Sequence, residues 1–155
     1  MNGEEYIGVN GFGAHMQLDS KNLEINIGGN FSDAWVLPPA LLQLQECGEA
    51  ELVEELMDIF QIDTAERLEL LGRAVESGNY STAGQEAHTI KGSALQVGAV
   101  RVADVCRQME LEARKPQPAD LRPLFRALLT NFDEVRGVMA ERRPAAPDGS
   151  LQHGQ

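Results

Sequence analysis

From about residue 37 to residue 142, apolar side chains recur at steps of three and four, the spacing of a single helix face. Pro38 and Pro39 suit the first turn of a short helix that carries Leu41, Leu42 and Leu44 and ends near Gly48. A long amphipathic helix is predicted from about Glu49 to Ser77, with Val53, Leu56, Phe60, Leu68, Leu71 and Val75 near one face and Gly78-Asn79 as its stop. Asp63-Thr64-Ala65-Glu66 has the form of a capping box that would split it, but one continuous helix is the preferred reading. Ser81 suits the N-cap of a third stretch that runs to Val97 and closes at Gly98. A fourth, Ala99 to Lys115, repeats Val102, Cys106, Met109 and Ala113 before Pro116 and Pro118 break it. The last, from about Pro118 to Arg142, places Leu121, Phe125, Leu128, Phe132, Val135 and Met139 at alternating steps of four and three, a bundle seam.

Four long helices joined by short Gly or Pro turns favour antiparallel neighbours. The expected fold over residues 33–143 is therefore all-α, an antiparallel up-down four-helix bundle with a short N-terminal covering helix. Residues 1–32 hold six of the fifteen glycines and no sustained period, apart from a strand-like alternation over Leu23-Glu24-Ile25-Asn26-Ile27. Gly13-Ala14-His15-Met16 matches the remnant of a cleaved purification tag, so this segment is set aside as a Gly-rich lead. Residues 144–155, opening with Pro144-Ala145-Ala146-Pro147, are expected to form a mobile tail.

Charge and composition narrow the function. A formal net charge of -11 repels phosphate backbones and anionic lipid, so neither nucleic acid nor a membrane surface is expected as a partner. No stretch approaches the roughly 18 apolar residues of a membrane span, and the start lacks the pattern of a secretory signal, so a cytoplasmic location is expected. Cys47 and Cys106 form neither a CxxC pair nor a disulfide framework. No E-x-x-H occurs, which argues against a di-iron bundle, and no phosphate-binding Gly loop for ATP is present.

The third helix carries the informative chemistry. At about 100° per residue, Ala83, Ala87, Ile90, Ala94 and Val97 fall on one arc, and His88 lies roughly 150° from its centre, facing water. Gly92 is one turn beyond His88, Lys91 flanks it, and Gln85 and Leu95 complete the outward patch. A mid-helix glycine costs about 1 kcal/mol relative to alanine, so clear space beside the imidazole is its expected use. Near pH 7 much of an exposed imidazole is neutral, with a lone pair that can attack phosphorus, and one nearby cation can offset the phosphoryl charge. An ordinary surface histidine, a solvated lysine and a glycine for close helix packing are the plainer alternatives, and opposition to the core arc disfavours the last. Ser93 is assigned only a bond back to the preceding turn. The acidic run Glu49, Glu51, Glu54, Glu55 and Asp58 is read as a solvated face.

His88-Thr89-Ile90-Lys91-Gly92-Ser93-Ala94, with Gly98-Ala99 and then Val102, Cys106, Met109 and Glu110, resembles the histidine phosphotransfer (HPt) domain of bacterial multistep phosphorelays. The likeness spans about Leu37 to Arg142. It implies a four-helix bundle whose exposed histidine takes a phosphoryl group from a receiver-domain aspartate and passes it to another receiver. On this chain it implies His88 as carrier, Lys91 as phosphate stabiliser and Gly92 as the opening, while the outward patch of Gln85 and Leu95 read from the helix wheel is the expected docking surface. The implied partners are receiver domains of response regulators or hybrid histidine kinases. No cofactor or metal is implied on this chain, Mg being expected on the receiver, and a monomer without kinase activity of its own is expected. Val102 and Met109 stand where the family often has leucine, a volume-tolerant change. Two rival readings are the phosphorylated domain of a chemotaxis-type histidine kinase and a helical interaction module that is never phosphorylated.

Overall fold

A computed structural model describes residues 34–143, and the strand-like alternation at residues 23–27, the tag-like tetrapeptide, His15, His153 and the expected mobile tail all lie outside them. Five helices are present: α1 (Pro39–Glu46), α2 (Ala50–Ser77), α3 (Tyr80–Val97), α4 (Val100–Ala113) and α5 (Arg122–Arg142). α3 packs against α2 and α4, α5 closes the ring between α4 and α2, and α1 lies on α2. The four-helix bundle with its covering helix is the observed architecture.

Local chemistry sets the boundaries. α2 and α3 both end on glycines in the left-handed region, Gly78 at φ 69° and Gly98 at φ 82°. In each, the amide after the glycine reaches back to the helix, Asn79 to the Ala74 carbonyl and Ala99 to that of Ala94. Three starts or stops differ from expectation. Asn79, not Ser81, caps α3, its side chain accepting from the Thr82 amide. The helix thus begins two residues earlier. α4 ends at Ala113 rather than Lys115, where the Glu112 carboxylate turns out to accept the Ala119 amide and hold the Pro-rich turn. α5 starts at Arg122, not Pro118, because Pro123 can occupy only the first turn.

The core is built from the expected faces with adjustments of one position. On α2, Met57, Thr64 and Ala74 are buried while Leu56 and Val75 are half-buried, so the seam is rotated slightly from the one drawn through the largest apolar residues. On α3 all five arc residues are buried, and on α4 Val102, Cys106 and Met109 join them. Phe60 and Phe132 meet edge to face at 6.1 Å between centroids, tying α2 to α5. Phe125 is only half-buried. It lies over Gly72, whose missing Cβ leaves room for the ring.

One end of the bundle is closed by the segment before α1. Trp35, the sole tryptophan, is buried and its Nε1 donates to the Val97 carbonyl at 2.6 Å, while Arg142 stacks over its ring. The chain crosses so near Gly98 that a Cβ there would stand 2.1 Å from the Val36 carbonyl oxygen.

Candidate functional site

The alanine-rich inner face of α3 lets the helix sit close to its neighbours, and its outer ridge is consequently well presented. His88 is 64% exposed, as its opposition to the core arc requires. Its Nδ1 lies 2.9 Å from Oε1 of Glu110, a residue of α4 whose side chain is only 5% exposed. An ionised carboxylate has no proton to give, so Nδ1 is the donor and Nε2 keeps the free lone pair, pointing away from α4. Glu110 therefore fixes both the tautomer and the direction of the ring.

Glu110 binds two cations as well. Lys91 Nζ donates to Oε2 at 2.6 Å, and Arg114 reaches Oε1 from the next turn of α4. The bond from Lys91, followed by those from His88 and the charge of Arg114, holds the Glu110 carboxyl below its usual range against the opposing effect of burial. Lys91, expected beside the phosphate, is thus anchored 19 residues away on the partner helix, with 24% of its side chain exposed. Glu110 was not singled out as a site residue. The available signal was a carboxylate adjoining buried Met109 at the edge of an apolar arc.

Around this trio the surface is open. A Cβ on Gly92 would meet nothing within 4 Å, so the glycine is not there for helix packing. Gln85 and Leu95 are exposed on the same ridge, and the Ser93 hydroxyl bonds back to the Thr89 carbonyl. Burial pushes the Cys106 thiol up to about 12, which removes it as a nucleophile. Among the described residues no cluster of metal ligands occurs, and a groove of about 480 Å³ lies between α2 and α5, away from His88.

On α2, Arg67 bonds both Asp63 and Glu86 and so marks the edge that meets α3. Ile59, one turn before Asp63, is 55% exposed, and with Leu95 at 56% it adds apolar surface where α2 meets α3. Ile62, 63% exposed, lies about 140° round the helix from Arg67 and so faces away from α3. Ile59 was missed because an apolar residue on a long amphipathic helix reads first as core.

The family model described as Hpt domain matches residues 55–137, which contain the whole of this arrangement. The chain belongs to the Hpt domain family. Among solved structures it is similar to the histidine-containing phosphotransfer protein B (HptB) of Pseudomonas aeruginosa PAO1, at 26% identity and TM-score 0.61, covering 72% of this chain and 96% of that one. It also shares the fold of the HPT domain of a sensor hybrid histidine kinase from Shewanella, at 18% identity and TM-score 0.56, covering 72% and 94% respectively. No curated protein gives a significant match. As an Hpt domain the chain has a histidine phosphotransfer role in phosphorelays, and domains of this family are phosphocarriers that interact with receiver domains. No described helix is long and apolar enough to cross a membrane.

The Glu110 hub carries a direct expectation. Glu110→Ala leaves the Lys91 ammonium and the His88 Nδ1–H without their partner, and the half-exposed neighbours recover water only in part, so a loss of about 1 to 3 kcal/mol is expected. Because Glu110 titrates lower in the folded chain than in the unfolded one, its contribution is full above about pH 4.3, the unfolded value, and is lost as pH falls through the folded value below it. Denaturant melts of both proteins between pH 7 and pH 3 should therefore converge at the acid end. A gap that stayed constant over that range would refute the ionic account.

Proposed function

We propose that this Hpt domain takes a phosphoryl group from a receiver-domain aspartate onto Nε2 of His88 and delivers it to a second receiver aspartate. The observation that carries the reading is the His88–Glu110 bond at an exposed position: the buried carboxylate holds the Nδ1 proton, and the nucleophilic nitrogen faces solvent. In the forward step the Nε2 lone pair forms an N–P bond while the P–O bond to the partner aspartate breaks, and the electron pair leaves as carboxylate. The Nδ1 proton stays in place, and the positive charge that the ring acquires is offset by Glu110. The return step to the next aspartate is the same exchange reversed. Such a transfer depends mainly on positioning and charge neutralisation, and Mg on the receiver would supply the latter at the phosphoryl oxygens.

The remaining residues support those needs. Lys91 lies one turn from His88 and, although bound to Glu110, is near enough for its flexible stem to turn toward an N-linked phosphoryl group. Gly92 leaves the approach to the ring clear, and Gln85, Leu95 and Ile59 form the docking area.

The test uses receiver domains loaded with labelled phosphate. The expected product is an acid-labile, alkali-stable label mapping to the peptide that contains His88, with nothing incorporated from labelled ATP alone. Labelling by ATP, or none by any receiver, would defeat the reading. Gly92→Leu gives a second check because it separates fold from access. The side chain enters open space in a helix interior, so stability should rise by about 0.5 to 1 kcal/mol, yet transfer from a receiver should slow severely. Equal transfer rates would show that Gly92 is not an opening.

A further inference from the structure

The two flanks of the His88 ridge carry opposite charge. On the α4 side stand Lys91, Arg107 and Arg114, the two arginines lying three residues before and four after Glu110 and hence on the same face of the helix; Lys91 and Arg114 pair with Glu110 and Arg107 with Asp104, and the three cations against two carboxylates leave a net positive charge. On the α2 side, Ile59 and Glu66 lie four before and three after Asp63, whose bond to Arg67 marks the edge facing α3, and Glu55 is one turn further along. From residue 50 to residue 66, α2 contains no Lys or Arg at all. Glu55 and Glu66 are exposed and have no ion-pair partner among the described residues, whereas Asp58 and Asp63 pair with Arg143 and Arg67. Between the flanks run the uncharged residues Gly92, Leu95 and Ile59.

Resting on the phosphorelay reading above, we propose that this polarity fixes the orientation in which a receiver domain docks and determines which receivers are accepted. The reacting end of the partner, an aspartyl phosphate and the carboxylate it leaves, is anionic and is matched by the Lys91, Arg107 and Arg114 side. The part of the same partner that lies over α2 must then carry Lys or Arg to meet Glu55 and Glu66. A receiver with acidic residues there is repelled even though its phosphoaspartate is chemically competent, so selection works by exclusion as much as by attraction. The exposed apolar centre supplies contact area common to all partners.

The decisive experiment compares wild type with Glu55→Lys/Glu66→Lys and with Arg107→Glu, using two kinds of donor. Phosphoramidate, a small molecule with no docking surface, reports the imidazole chemistry. Receiver domains of varied surface charge, loaded from acetyl phosphate, report docking. For the receiver that labels wild type fastest, kcat/KM should fall about tenfold or more in both variants, chiefly through KM and more steeply at low ionic strength. Labelling by phosphoramidate should not change, and an acidic-faced receiver that serves wild type poorly should improve with Glu55→Lys/Glu66→Lys. Receiver transfer within about twofold of wild type in both variants would overturn the polarity proposal alone. A parallel drop with phosphoramidate would also overturn it, since the charges would then act on the ring or the fold. Phosphoramidate labelling of His88 without labelling by any receiver would instead refute the phosphorelay reading itself, and the proposal with it.

Discussion

Replacing His88 with glutamine is expected to abolish phosphoryl uptake from receivers and from phosphoramidate while leaving the fold unchanged. A glutamine amide nitrogen has its lone pair delocalised into the carbonyl, so no nucleophile remains on the ridge. The structural cost is small because the imidazole is 64% exposed and Glu110 keeps its bonds to Lys91 and Arg114. The change in stability should stay within about 1 kcal/mol. Thermal melts would establish that, and acid–alkali stability of any residual label would identify its chemistry. Persistent alkali-stable label on the variant would move the acceptor to His15 or His153, the other two histidines of the chain, and end the assignment.

Why His88 could be found without coordinates, and Glu110 could not, is a matter of which interactions are local. A helix face is set by residues three and four apart, so the five-residue inner arc of α3 located the outward direction from α3 alone. The glycine stops at Gly78 and Gly98 were equally legible, since each carries its conformational demand in its own residue type. Glu110 is joined to His88 across 22 residues and two helices, and a carboxylate beside an apolar position is usually solvated. Only the packing of α3 on α4 turns it inward.

The same distinction explains the smaller differences. Asn79 and Ser81 are both good caps two residues apart, and the turn from Gly78 decides between them. Thr64, whose residue type suits the capping-box alternative, lies instead in the α2 seam fully buried, as geometry rather than polarity dictates. Trp35 precedes the first helix and belongs to no periodic pattern, so nothing in the spacing pointed to its place over the end of the bundle.

That bundle end should respond most strongly to substitution at Gly98. Alanine in the left-handed region costs about 1 to 2 kcal/mol wherever it occurs. At Gly98 the added Cβ would also stand 2.1 Å from the Val36 carbonyl oxygen and 2.9 Å from Pro38 Cδ, and neither atom is the end of a flexible side chain. The lead segment must move, which draws Trp35 from its pocket and breaks the bond from its Nε1 to the Val97 carbonyl. A total loss of about 3 kcal/mol or more is expected, lowering the melting temperature on the order of 15 °C for a domain of this size. Because Trp35 is the sole tryptophan, its emission should shift to longer wavelength as the ring meets water, below the temperature at which the helices melt. Gly78→Ala supplies the control: its φ of 69° carries the same conformational cost, but a Cβ there meets nothing within 4 Å, so the loss should be only about 1 to 2 kcal/mol with unchanged Trp35 emission. Equal losses at the two glycines would mean that the lead segment adds nothing to the stability of the bundle.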